Sequence, residues 1–380
     1  MKEAMFYDTT DDGRLRCHLC PHGCLLGEGR RGVCHVRQNR DGKLMSLVYG
    51  RPVAQAVDPI EKKPLYHVLP GARVFSIGTQ GCNLRCQHCQ NCTISQTAPG
   101  EEDIAAAPEV EPEEIVRKTE AAGCAGIAYT YTEPTIFFEY AYDVASLARE
   151  RGLLNVFVSN GYITPEAVRR IAPLLDAVNI DLKFFSDKLY RQVCGGTLDP
   201  VLDAIRLYYE LGVWVEVTTL VIPQYNDDER QLGQIAGFIA AIDRDIPWHL
   251  TAFYPTYKLT HVAPTAPAAL RKAAGVASQA GLRYVYLGNI GGHANTLCPD
   301  CGSVLIERGI AGAEGTGGLH GGRCRQCGAA VGGVWTLTVG IPDAERTSSG
   351  GGKTAQRDRK PPRDIAPGGP PGSAPCIRPG

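Results

Sequence analysis

The stretch Gly81-Cys82-Asn83-Leu84-Arg85-Cys86-Gln87-His88-Cys89-Gln90-Asn91 places three cysteines at the spacing C-x3-C-x2-C. It directly follows an apolar run, Val74-Phe75-Ser76-Ile77, that reads as a buried strand. A structural zinc site wants four ligands, usually as two C-x2-C pairs, and an ordinary cubane cluster also takes four thiolates. Three local thiolates around a four-iron cluster leave one iron without a protein ligand. An open metal position is where substrate or cofactor binds, by the logic that separates catalytic from structural zinc. The alternative is some other metal or redox site built on the same three cysteines.

Two further cysteine sets flank this one. Cys17, Cys20, Cys24 and Cys34 follow the pattern C-x2-C-x3-C-x9-C in a segment too short to build its own core, so a metal would replace hydrophobic burial there. Zinc and a second iron–sulfur cluster are both chemically open, and a structural zinc is the expectation taken forward. His18, His22 and His35 stand close enough in sequence to replace a thiolate. Near the other end, Cys298-Pro299-Asp300-Cys301 and Cys324-Arg325-Gln326-Cys327 are two C-x2-C knuckles, each followed by glycine. That pattern predicts a zinc ribbon.

The elements that must position the central cysteines alternate regularly. Strands are expected at 74–78, 126–131, 154–159, 178–182, 213–221, 249–254 and 284–287, with helices at 113–122, 135–149, 165–174, 200–211, 228–242 and 267–280. Thr164-Pro165-Glu166 and Asp199-Pro200 are helix-start signals. Such alternation means a parallel sheet with right-handed crossovers, and its count suits a partial (β/α)6 barrel of TIM type. Active groups then belong at the C-terminal strand ends. Cys82, Cys86 and Cys89 fall there, as do Thr130 to Thr135, Ser159-Asn160-Gly161, Asp181-Leu182-Lys183 and Val221-Ile222-Pro223.

Composition narrows the class. The chain has 380 residues, a formal net charge of −1 and fifteen cysteines. It is long enough for one large domain with small modules, and it carries no overall basic footprint for nucleic acid. No stretch approaches the ~20 apolar residues of a membrane span, and the N-terminus lacks an apolar signal region. Cysteines at metal spacings without an export signal imply a reducing, cytoplasmic setting. The expected divisions are an N-terminal four-cysteine module (1–40), a connecting segment (41–72), the barrel core (73–290), the ribbon (295–340) and a disordered Gly/Pro/Ser-rich tail (341–380) that includes Cys376.

Individual residues carry two readings each. Glu133 precedes Pro134 and could cap the next helix or offer two acceptor oxygens to an ammonium group. Asn160-Gly161 could be a simple turn. Asp181 and Lys183 alternate along a strand, so both can face the barrel mouth, as an ion pair or as ligand contacts. His249 and Phe253 lie on a buried strand, where a lone histidine is usually a satisfied core residue. Cys92 is an extra thiol beside the central three. The charges of Asp58-Pro59-Ile60-Glu61-Lys62-Lys63-Pro64-Leu65-Tyr66-His67 read mostly as solvated surface.

The C-x3-C-x2-C stretch resembles the signature of the radical S-adenosylmethionine (radical SAM) superfamily. The resemblance implies that a [4Fe-4S] cluster on Cys82, Cys86 and Cys89 chelates SAM through its free iron and cleaves it to a 5′-deoxyadenosyl radical. Tyr131-Thr132-Glu133-Pro134 resembles the family's Gly-Gly-Glu-Pro segment, without its glycines, which puts Glu133 at the SAM amino group. By the same resemblance His88 stands where an aromatic packs on adenine, Asn160 reaches the ribose, and Asp181 and Lys183 lie near SAM and substrate, as in pyruvate formate-lyase activating enzymes. Residues 14–340 resemble the radical SAM component of the AmmeMemoRadiSam system, through the Cys17 to Cys34 module, the 58–67 segment, the central motif, Tyr131 to Thr135 and Tyr257-Lys258-Leu259-Thr260. Cys92, where an aromatic is common, and the tail depart from that pattern. The resemblance implies a flavodoxin- or ferredoxin-type electron donor, partners of the AmmeCR and Memo types, and hydrogen abstraction from a glycine on a partner protein. A small molecule or an RNA base is the alternative target, and a metal-binding scaffold the non-enzymatic alternative.

Overall fold

Seven β-branched and aromatic runs, each short and flanked by turn residues, form the parallel part of the central sheet. The computed structural model describes residues 1–291, 294–309 and 312–337. The tail expected at 341–380, with Cys376, lies outside the described residues. In chain order the sheet comprises β1 (Ala54–Pro59), β2 (Arg73–Gly78), β3 (Gly126–Tyr129), β4 (Leu154–Ser159), β5 (Ala177–Asp181), β6 (Trp214–Val221), β7 (Trp248–Ala252) and β8 (Val285–Gly288). Each strand pairs with its sequence neighbour, β2 to β8 are parallel, and β1 runs antiparallel to β2 with Ala54 opposite Gly78. Among the described residues the sheet is open, with β1 and β8 at its edges.

Six helices make the crossovers: α1 (Pro112–Ala121), α2 (Phe138–Glu150), α3 (Pro165–Ile171), α4 (Asp199–Glu210), α5 (Glu229–Ile242) and α6 (Pro267–Gln279). Pro at the first or second position starts α1, α3, α4 and α6, where the missing N–H costs nothing. Asp228 caps α5 by accepting from Gln231 N at 3.0 Å. The helix expected from 135 begins later, because Pro134–Phe137 forms a 3-10 turn first. Crossovers of this kind put the C-terminal ends of the parallel strands β2 to β8 on one rim.

β1 lies within the segment read as a connection, and most of the charges in and after it are not solvated, Lys62 being exposed. Asp58, Glu61, Lys63 and His67 are buried. Burial is tolerated because each charge has a partner. Asp58 accepts from Lys62 Nζ, Lys63 Nζ and the Tyr131 hydroxyl, all at 2.7 Å.

The N-terminal strands Lys2–Glu3, Arg37–Arg40 and Lys43–Ser46 form one small sheet, and Tyr7–Thr9, Leu15–Cys17 and Leu25–Leu26 form another. Their buried Phe6, Leu15, Leu19, Val36 and Leu44 belong to the same hydrophobic core as the strands and crossover helices. Arg37 clamps this region to α2 through a bidentate bond to Glu139, at 2.8 and 2.7 Å.

The C-terminal cysteine region packs at the opposite, N-terminal end of the strands. Tyr284 and Tyr286 share a core with Cys298, Leu305, Ile306, Cys324 and Val331. Arg308 is buried, donates to Thr296 Oγ1 at 2.7 Å and lies 4.4 Å over the Tyr66 ring. Beneath it Glu216, fully buried, accepts from Tyr66 N at 2.9 Å, His67 N at 2.8 Å and His249 Nε2 at 2.6 Å.

Candidate active site

The loop after β2 carries the three central cysteines, and its course is set by close backbone packing. Gly81 has φ 93°, and a Cβ there would lie 2.7 Å from the Cys34 carbonyl oxygen and 2.8 Å from Val36 Cγ1. Only glycine fits both the angle and the space. Arg85 N donates to Cys194 O at 2.6 Å and Gln87 N to Val193 O at 2.9 Å, so the loop runs beside the turn of π-helix Tyr190–Cys194. Gln87 O in turn accepts from Lys258 N at 3.0 Å, which brings the Tyr257 to Thr260 segment to the same loop.

Cys82 and Cys86 are buried and Cys89 is half-buried. Leu84 N and Asn160 Nδ2 point at Cys82 Sγ, at 3.4 and 3.7 Å, as donors to a thiolate would. Burial pushes the Cys82 thiol well above its usual range, with Glu133 and Cys86 adding to the shift. A thiolate at this depth therefore needs a metal cation beside it.

Asn160 also donates to Asn83 Oδ1 at 2.9 Å, and its own Oδ1 accepts from Tyr162 N at 2.8 Å. The expected Asn160 and Cys82 are thus brought together. Glu133, fully buried, accepts from Thr135 N (3.0 Å), Thr135 Oγ1 (2.6 Å), Ser159 Oγ (2.8 Å) and Asn160 N (2.7 Å). It caps the turn after β3 and ties that turn to the end of β4. Burial raises its pKa above the usual carboxylate value against the pull of those four donors.

Asp181 and Lys183 meet as an ion pair at 2.9 Å. Burial disfavours the Lys183 charge, but Asp181, Cys86 and Cys194 together outweigh it and raise its pKa well above the usual value. Lys183 is thus a fixed cation facing the thiols. His88 is buried, its Nδ1 lacks a hydrogen-bond partner, and its ring meets Phe184 edge-on at 6.1 Å. Burial, then Lys183, lowers its pKa to about 3, so it is a neutral ring.

Cys194 is a participant that sequence spacing did not indicate. Its thiol lies with Cys86 Sγ and a His88 ring nitrogen within 4.8 Å of one another. The neighbouring Cys194 thiol lowers the Cys86 thiol, while burial holds Cys194 well above its usual range. Cys194 stands more than a hundred residues from Cys86 in sequence, so only the fold reveals the pair.

Other candidates go elsewhere. His249 is held by Glu216 and stacks on Tyr286 at 5.3 Å, at the N-terminal end of the sheet away from the rim. Phe253 is buried with its N–H bonded to Thr265 Oγ1 at 2.9 Å. Cys92 begins a short helix, Cys92–Ser95, without joining a ligand group among the described residues. His18 pairs with Asp8, His22 with Asn83 O at 2.7 Å, and His35 Nε2 with the Arg85 guanidinium at 2.8 Å, and none of them lines the pocket of the four N-terminal cysteines.

Ligand atoms of three or more such side chains converge within 4.8 Å at only two places among the described residues. One is Cys86, His88 and Cys194. The other is the ribbon quartet, where Cys298 and Cys327 are 3.6 Å apart and Cys301 and Cys324 3.7 Å. The central three cysteines do not converge on one point, which suits a multi-metal cluster better than a single ion. The donor set, with N–H groups aimed at Cys82, fits such a cluster.

Residues 76–232 match the family model of the Radical SAM superfamily. The chain is 47% identical over 317 residues to the uncharacterized protein MJ0808 of Methanocaldococcus jannaschii, spanning 83% of this chain and 93% of that protein. It is 22% identical over 236 residues to the pyruvate formate-lyase 1-activating enzyme of Escherichia coli K12, spanning 57% of this chain and 93% of that one. A crystal structure of Streptococcus suis SuiB bound to precursor peptide SuiA aligns at 15% identity and a TM-score of 0.45, over 61% of this chain and 51% of that one. The chain belongs to the Radical SAM superfamily. No helix of the described residues is long and apolar enough to cross a membrane.

Proposed function

We propose that this chain reductively cleaves SAM at a [4Fe-4S] cluster held by Cys82, Cys86 and Cys89, and abstracts hydrogen from a glycine on a partner protein. The observation that carries the reading is the spread of these three thiols on one rim loop, beside Asn160 and the Lys183 cation. When bound, the cluster supplies one low-potential electron and an open iron for SAM.

The chain's own residues orient and exclude water. Glu133 fixes Ser159 and Asn160, and through Asn160 the Cys82 side of the loop. Lys183 places positive charge where a carboxylate would be received, and Asp181 aims it. His88 presents a neutral, flat ring suited to stacking on adenine. We assign zinc to Cys298, Cys301, Cys324 and Cys327, because tetrahedral Zn–S bonds of ~2.3 Å set sulfurs about 3.8 Å apart.

Distant similarity to pyruvate formate-lyase activating enzymes supports an activase reading, and the sequence resemblance supports a glycyl target and a flavodoxin- or ferredoxin-type donor. The sequence resemblance supports membership of the AmmeMemoRadiSam system with AmmeCR- or Memo-type partners, and a cytoplasmic setting. The test is electron paramagnetic resonance on reduced protein mixed with SAM and each candidate partner. A doublet from the partner's glycyl radical is expected. A SAM-cleaving protein that leaves every partner diamagnetic excludes the activase reading.

A further inference from the structure

We propose that Cys17, Cys20, Cys24 and Cys34 hold a second four-iron cluster, not zinc, and that it relays the reducing electron to the Cys82 loop. The four thiols line one pocket, whose remaining wall includes Leu19, Leu26, Val33 and Ile136. Yet no three of them converge within 4.8 Å, whereas the ribbon quartet of the same chain does. Zinc draws its four sulfurs to about 3.8 Å from one another. A cubane binds each thiolate through a different iron and so keeps them apart. The N-terminal quartet shares the open arrangement of the central three cysteines and not the closed one of the ribbon.

The donor set is also purely thiolate, because the pocket's lining holds these four cysteines and no histidine. All-thiolate coordination is what a four-iron cluster takes.

Position supplies the role. The Cys34 carbonyl packs on Gly81, the residue before Cys82. His22, between Cys20 and Cys24, bonds to the carbonyl of Asn83, the residue after Cys82. The Arg85 guanidinium, one residue before Cys86, reaches the Val33 carbonyl at 2.5 Å, next to Cys34. Three short paths therefore join the two cysteine loops, and zinc would use none of them.

The step balances with one electron. A low-potential donor of the ferredoxin or flavodoxin class is oxidised by one electron, and the N-terminal cluster is reduced by it. The electron then passes to the Cys82 side, where one is consumed for each SAM sulfur–carbon bond broken to give methionine and the 5′-deoxyadenosyl radical. The relay rests on the SAM-cleaving reading, but the metal assignment does not.

The test is elemental analysis and electron paramagnetic resonance on the full chain after anaerobic reconstitution with iron, sulfide and zinc. The wild type should bind about eight irons and one zinc, and C82A/C86A/C89A should keep about four irons with a reducible signal. About four irons and two zincs in the wild type, or an iron-free triple variant that holds two zincs, overturns the assignment whether or not the wild type cleaves SAM. The reduced wild type should also show a spectrum broadened by coupling between neighbouring clusters. A spectrum equal to two isolated signals overturns the relay.

Discussion

Replacing Arg37 with methionine should destabilise the protein by about 3–5 kcal/mol, the cost of leaving a buried charge without its partner. Arg37 and Glu139 have side chains 2% and 0% exposed, and they meet through two bonds of 2.8 and 2.7 Å. Without the guanidinium, Glu139 keeps the Met5 N–H at 2.9 Å as its partner from outside its own helix. Methionine fills much of the arginine stem's volume, so the loss is mainly electrostatic and not a cavity. The double variant R37M/E139L removes both charges and should recover most of the loss, because a buried pair is often no more stable than apolar residues of similar volume. Burial raises the Glu139 pKa, but Arg37 outweighs it and holds the group below its ordinary 4.5. A lowered carboxylate pKa contributes stability that is complete above pH 4.5 and lost as pH falls through the folded value. The gap between wild type and R37M should therefore close in acid. The assay is urea unfolding of metal-loaded protein followed by circular dichroism from pH 7 down to about pH 3. A loss under about 1 kcal/mol in R37M, or a double variant no more stable than the single, refutes the reasoning.

Three further outcomes follow. Burial lowers the His67 pKa from 6.5 to about 4, so this group stabilises fully above pH 6.5 and its contribution fades as pH falls toward 4. That amounts to about 3 kcal/mol at ~1.4 kcal/mol per pH unit, and H67Q should flatten the unfolding midpoint across this range. C194A removes the S–H group beside Cys86 Sγ and should lower the central cluster's potential by up to about 60 mV in a redox titration, the equivalent of ~1.5 kcal/mol of thiolate stabilisation. Stripping the ribbon metal, or C301A/C327A, should expose the Tyr284 and Tyr286 face and lower the melting temperature, while cluster iron counted by absorbance stays unchanged.

The parallel strands and crossover helices were legible in the sequence because the strands are largely buried on both faces and read as short, predominantly apolar runs between amphipathic helical stretches. The edge strand Ala54–Pro59 was not, since alternate exposure and a following cluster of charges look like surface. Those charges are buried through pairings such as Asp58 with Lys63 and Tyr131, which local spacing does not encode. The central cysteines were legible because metal ligation needs them close in sequence, and Glu133 as a helix cap follows from its neighbour Pro134. Cys194 was not, because it reaches Cys86 only through the fold, from the π-helical turn Tyr190–Cys194. His249 shows the converse: its type invites a catalytic reading, but its register on β7 sends it to Glu216 at the other end of the sheet.

The most direct test of the central claim is the formation of 5′-deoxyadenosine by anaerobically reconstituted protein given dithionite and SAM, with iron, sulfide and zinc counted in the same samples. Its formation in the wild type and its loss in C82A are expected. Full iron loading without 5′-deoxyadenosine, or equal yields from C82A, would contradict a SAM-cleaving site at Cys82, Cys86 and Cys89.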